Sequence, residues 1–238
     1  MDFAGFGTVV NVISIIIGGI IGLIFGRFVS KNLQETLQKS CAVVVIFLGI
    51  AGTLSKMMKI HSDGTIEIIG TMMMIASLSI GSIIGEMINI EGKMEKFGVY
   101  LRKKSRNDGD SKFVNGFITA SLTVCIGAMA IIGAIEDSLL HNYTILYAKS
   151  ILDLILIMIF TISLGKGCIF SAISVGIFQG IITIIAGFLQ QFMTDLTINN
   201  ISYVGNILIF CVGINLMFGQ KIRVANLLPA IIIAAIYN

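Results

Sequence analysis

The stretch "YAKSILDLILIMIF", residues 147–160, sets a lysine and an aspartate four positions apart in an otherwise apolar run. On a helix that spacing puts Lys149 and Asp153 on one face. A helix beginning near Tyr143 would carry Lys149 ~9 Å and Asp153 ~15 Å inward. The carboxylate then lies near the midplane of a ~30 Å hydrocarbon layer, where a charge costs ~2.5–3.5 kcal/mol to insert. It must therefore face the bundle interior or water. The base-before-acid order is the weaker one for a helical pair, so mutual attraction is an incomplete reason for these residues. Binding a solute, taking up a proton and meeting another helix remain open to them. A structural ion pair that glues helices is the alternative.

Other polar residues stand at depth. Asn11 shares a helix face with Ser14, Gly18 and Gly22, and could hydrogen-bond across a helix contact or line a path. Ser171, Gln179 and Thr183 form one stripe, in which a buried glutamine serves as interhelical glue or as a substrate contact. Glu136 and Asp137 close the fourth apolar segment. Capping a helix end in water is the simpler reading for Glu136, and Asp137 is a candidate lining residue. Gly127 and Gly133 in "CIGAMAIIG" (125–133) would permit a broken helix as readily as close packing.

No enzymatic chemistry is expected. His61 and His141 fall in outer loops, and neither HExxH, nor a GxSG nucleophile setting, nor paired Asp-rich motifs occur. No catalytic residue, metal site or cofactor is assigned. The four cysteines lack a CxxC pair and read as small apolar packing residues. No ATP-binding loop is present, so any transport would draw on gradients or a partner.

The elements that must position these residues are membrane spans. The 238-residue chain is 56% hydrophobic and 12% charged, against ~25% charged in soluble domains. Its mean hydropathy is +0.97. Apolar segments cover 4–26, 37–55, 66–90, 113–135, 143–165, 167–189 and 202–219, with a short one at 224–237. These runs are continuous rather than alternating, which excludes a β-barrel. The expected fold is an all-α polytopic bundle of seven to eight transmembrane helices. The first segment has no basic n-region and reads as a retained span rather than a signal peptide.

Thirteen Lys and Arg residues fall in one alternate set of loops and only Lys56 and Lys59 in the other, with Lys149 inside a span. By the positive-inside rule the basic loops are cytoplasmic and the N-terminus is outside. The net charge of +3 gives no reason to expect nucleic acid. Residues 27–40 and 94–104 mix apolar and basic residues at helical spacing, as amphipathic cytoplasmic segments do. The bilayer is one expected partner, and a second copy or another membrane protein is a further one.

One phrase recurs. "SIIIGGIIGLIFGR" (14–27) returns as "SLSIGSIIGEMINI" (77–90). Both place small residues every fourth position, which lets helix backbones approach closely in lipid. A duplicated two-span unit, 4–55 and 66–135, within one transmembrane domain 1–238 would produce this, and so would biased composition. The remaining helices occupy 143–219, with the short segment 224–237 at the end. The second copy puts Glu86 where the first has Leu23, either as an interfacial anchor or as a cytoplasmic gate or coupling carboxylate.

The same residues carry a family resemblance. Gly7-Thr8 with Asn11, "LQETL" (33–37), "CIGAMAIIG", "KSILDL" (149–154), "FSA" (170–172) with Gln179-Gly180, and "VANLLPA" (224–230) match the phrases of a bacterial multipass family. The chain resembles that family, labelled domain of unknown function 554. Two departures stand out: Glu136-Asp137-Ser138 replaces the family's Q-D-G, and Leu154 replaces a glycine, so no helix break is expected there. The resemblance implies a bacterial cytoplasmic-membrane protein of unassigned activity, loosely described as a transporter. It places Asn11, Lys149, Asp153 and Gln179 in family phrases.

The function expected is a secondary transporter or channel for a small solute or ion, with a polar site around Lys149 and Asp153 lined by Asn11, Gln179 and Asp137. The alternative is a non-catalytic scaffold or subunit of a membrane complex. Transport requires an aqueous route to the Asp153 carboxylate, and a tight salt link with no void beside it would count against that reading.

Overall fold

The computed structural model describes residues 3–107, 109–126 and 128–237. The helices are α1 (Phe6–Gly26), α2 (Lys31–Met57), α3 (Thr71–Ile88), α4 (Ile90–Lys104), α5 (Phe113–Cys125), α6 (Ala128–Leu140), α7 (Thr144–Leu164), α8 (Ser171–Gln190), α9 (Asp195–Phe218) and α10 (Pro229–Ile236). Short 3-10 turns at Lys166–Phe170 and Val224–Leu227 precede α8 and α10. Among the described residues six helices are long and apolar enough to cross a membrane, or seven if α5 and α6, bent by 62° at their junction, count as one span. The eight residues of α10 extend only ~12 Å.

The expected all-α membrane fold is therefore present, with boundaries that differ in three places. The amphipathic segment after α1 is not separate: α2 starts at Lys31 and runs on into the apolar span. Residues 66–68, expected at the head of the third span, form strand β2 (Ile66–Ile68), paired antiparallel with β1 (Met58–Ile60). The fourth span breaks after Cys125. Gly127, expected to permit that break, lies outside the described residues.

Burial is reversed relative to a soluble helix. On α1 the buried face is Gly7, Thr8, Asn11, Ile15, Gly18, Gly19 and Gly22, while Ile13, Ile16, Ile17, Ile20 and Ile24 are exposed. Small and polar residues inside with isoleucines outside suit a solvent of acyl chains.

The chain separates into two compact units. One comprises the chain up to Cys41 together with Lys93–Cys125 and Met129–Gln191; the other comprises Ala42–Gly92, Ile126–Ala128 and Phe192–Asn238. In the first unit, α1 runs parallel to α7 with their backbones in contact: a methyl on Gly18 would overlap the Leu154 carbonyl, and one on Gly22 the Met158 carbonyl. In the second, Gly81 and Gly85 of α3 meet Ala230 and Asn226 in the same way, and Gly49 and Gly52 of α2 meet Phe210 and Asn206 of α9. The amphipathic helix α4 lays Phe97 edge-on against Phe117 of α5, ring centroids 5.8 Å apart.

Candidate functional site

The first unit carries the polar interior. On α7, Lys149 Nζ donates to Asp153 Oδ2 at 2.6 Å, with both side chains more than nine-tenths buried. The same ammonium donates to the Val124 carbonyl at 2.7 Å. Val124 sits in the last turn of α5, where the helix breaks and its terminal carbonyls lose their intrahelical donors. Lys149 supplies a donor to one of them and meets the negative end of the α5 dipole. This second partner explains a lysine placed in the weaker order: its charge serves the broken span as well as the carboxylate. Val124 was invisible to sequence reasoning, because only the break makes its carbonyl available.

Two carboxamides accompany the pair. Asn11 and Gln179 are fully buried, and neither the nitrogen nor the oxygen of either amide has a hydrogen-bond partner. Asn11 lies beside the Asp153 carboxylate but outside direct hydrogen-bonding geometry. The position of Gln179 follows from the packing of α8, with its preceding 3-10 turn, along α1. Thr183 faces Gly5, Gly176 is in contact with Val12, and Ile169 fills the space over Gly19. These contacts recur every seven residues along both segments of the pair and run antiparallel. Gln179 lies between Gly176 and Thr183 on that face, so it stands level with Val9, within a turn of Thr8 and Asn11. The hydroxyls of Thr8 and Thr183 are likewise buried without a partner. Thr8 was not singled out from the sequence, although the Gly7-Thr8 phrase contains it. Ser171, the third member of the expected α8 stripe, is accounted for by a 2.7 Å bond to the Cys168 carbonyl.

Asp137 has a different environment. Fully buried near the end of α6, it accepts from the backbone N–H of Gly5 at 3.0 Å and of Thr8 at 3.3 Å. Gly5 is the N-cap of α1 and supplies no side chain. Asp137 therefore caps α1 from another helix, where an acidic group also favours the positive end of the dipole. Glu136 accepts from the Asn142 amide at 2.9 Å and ties the end of α6 to the following loop.

Glu86 belongs to the second unit. It pairs with Arg223 at 2.7 Å, both side chains about half exposed, and Arg223 also reaches Asn89. Beside it is a cluster that sequence reasoning missed. The buried Glu91 accepts from Gln220 Nε2 and from the Ala225 backbone N–H, while its own N–H donates to Asn226 Oδ1 at 2.7 Å. The signals were an acid in the first turn after a span and the asparagine of "VANLLPA".

Chemically, the first unit offers a neutralised charge pair, a titratable carboxylate, and a set of uncharged donors and acceptors. Among the described residues no three His, Cys, Asp or Glu side chains gather into a metal site, and all four cysteines are free.

Long apolar spans with a polar, glycine-packed interior define a multipass membrane protein. The chain belongs to the family described as "Protein of unknown function (DUF554)", whose model matches residues 6–238. It is similar to the "Uncharacterized membrane protein YdfK" of Bacillus subtilis (strain 168), 31% identical over 228 residues, covering 96% of this chain and 93% of that one. It is also similar to the "Uncharacterized protein YqgA" of Escherichia coli (strain K12), 23% identical over 235 residues, covering 96% and 94%. No solved structure matches.

Proposed function

We propose that this protein is a transporter or channel of the cytoplasmic membrane, N-terminus outside, that passes a small solute or ion through a site on α1, α7 and α8 around Lys149 and Asp153. One observation carries the reading: the carboxamide of Gln179 is fully buried with neither of its polar atoms partnered, while the buried Asn11 leans on the Asp153 carboxylate of the ion pair. Leaving such a group unmet costs about 1–3 kcal/mol, and native interiors rarely tolerate it without an occupant or a role. Asp153 could exchange a proton as the occupant passes, which would couple movement to a gradient.

The second reading is a scaffold or subunit, favoured by the tight buried link between Lys149 and Asp153 at 2.6 Å, the feature named above as counting against transport, and by the bond from Lys149 to Val124 at the end of α5. Reconstitution into proteoliposomes separates the two. Transport predicts that Asp153→Asn assembles normally and loses at least tenfold in flux across a panel of ions, amino acids, organic acids and small neutral solutes. A wild-type protein that moves none of these, with Asp153→Asn indistinguishable from it in assembly, leaves the scaffold.

A further inference from the structure

Resting on the transport reading, we infer that the occupant of this site is a small neutral molecule carrying both hydrogen-bond donors and acceptors, rather than an ion. Charge is the first argument. Lys149 and Asp153 neutralise one another at 2.6 Å. Asp137 is held by two backbone amides at the N-terminus of α1. The buried groups left over at the level of Gln179 are all uncharged: Asn11, Gln179, Thr8 and Thr183. An ion entering here would find no unmatched opposite charge, only the amide and hydroxyl dipoles of one sign to repay its desolvation.

Hydrogen-bond inventory is the second. Each carboxamide holds two N–H donors and a carbonyl acceptor; Asn11 has the Asp153 carboxylate beside it, and Gln179 leaves both kinds of atom unmet. A bare cation would satisfy the oxygens and leave the N–H groups orphaned; an anion would do the reverse. A polyol, a urea or a simple amide satisfies both. Exchanging oxygen and nitrogen in the Gln179 amide leaves the conclusion unchanged, since neither atom of that group is engaged.

The test uses the full-length protein in proteoliposomes. Stopped-flow light scattering follows uptake of glycerol, urea and acetamide, and a potential-sensitive dye follows Na⁺, K⁺ and Cl⁻. Uptake of at least one neutral probe at tenfold or more over empty vesicles, with no ion flux, is expected. Gln179→Met should cut that uptake at least fivefold, while Gly180→Ala, one residue away with open space around it, should not. Gln179→Met should also leave thermal stability unchanged or raised, because no hydrogen bond is lost. Ion flux that depends on Asp153, without neutral uptake, overturns this inference and spares the transport reading. No flux of any of these probes overturns this inference, and no flux across the wider panel above overturns the transport reading with it. A Gln179→Met variant that misfolds, or that transports normally, overturns the inference too, since the amide would then be glue or irrelevant.

Discussion

Breaking the Lys149–Asp153 pair from one side should be far worse than removing it whole. In Lys149→Met, Asp153 keeps its burial and loses its cation, and the Val124 carbonyl loses its donor. In Asp153→Leu, Lys149 retains only the carbonyl. Stranding one member of a buried pair costs about 3–5 kcal/mol, so each single variant should lose about that much. The double variant buries two apolar side chains of similar length and strands only the carbonyl, at about 1–3 kcal/mol. The double-mutant cycle should therefore show a coupling of at least about 3 kcal/mol, at or beyond the upper end for residues in contact. Reversible unfolding of the detergent-solubilised protein, titrated with a denaturing detergent, gives the four free energies. Costs that add to within about 0.5 kcal/mol would refute the reasoning, because additivity means the two side chains act independently. The double variant also has a functional reading. Folded but without flux, it supports a transport role for the pair; folded with full flux, it reduces the pair to a brace.

Gly18→Ala drives a methyl into the Leu154 carbonyl and should cost about 1–3 kcal/mol as α1 and α7 are forced apart; Gly180→Ala meets nothing and should be neutral or stabilising by up to about 1 kcal/mol, both read as shifts in melting temperature. Glu91→Ala strands the Ala225 N–H and the Gln220 amide, so the Ala225 amide should lose hydrogen-exchange protection while the α1–α7 contact keeps its own. In the β1–β2 hairpin, the Thr65 hydroxyl and N–H hold the Asp63 carboxyl below its usual range. A depressed acid contributes its stability above its unfolded pKa of ~3.9 and loses it as pH falls through the lower folded value. Thr65 amide exchange should accelerate in that acid window in the wild type and not in Asp63→Asn.

The spans were legible because length and apolarity suffice to mark them, and residues such as Lys149 and Gln179 were legible because they interrupt apolar runs. What they touch was not. The partner of Lys149 is a backbone carbonyl exposed by a helix break, and no side-chain pattern encodes a carbonyl. Nothing in the sequence around Asp137 announces its bonds to the Gly5 and Thr8 amides, which make it the cap of a helix more than a hundred positions away. The hairpin was missed because Ile66–Ile68 and the helix that follows form one apolar stretch; only Gly70, at a φ of 74°, marks the boundary. Glu91 was missed because an acid just past a span looks like loop until Asn226 and Gln220 are seen around it.

The repeated small-residue phrase shows how packing and chemistry part company. In both copies the stripe does the same work, bringing a partner backbone against the helix. Yet the partner of Gly18 and Gly22 is α7, running parallel, whereas that of Gly81 and Gly85 is the segment Asn226–Ala230, running antiparallel. The phrase thus specifies an approach distance and leaves the direction and identity of the partner to the rest of the chain. Each unit also turns at a glycine of nearly the same conformation, Gly165 (φ 88°, ψ −169°) and Gly219 (φ 78°, ψ 175°), before a 3-10 turn and an apolar helix. The polar residues are not shared. The offset that aligns the two phrases carries Asn11 onto Met74, whose sulphur receives the Tyr203 hydroxyl at 3.6 Å. At the aligned position α1 presents a buried amide and α3 a thioether. A phrase that serves helix packing alone gives no reason for a buried amide to accompany it in one unit and not in the other. That asymmetry is what a site confined to the first unit requires.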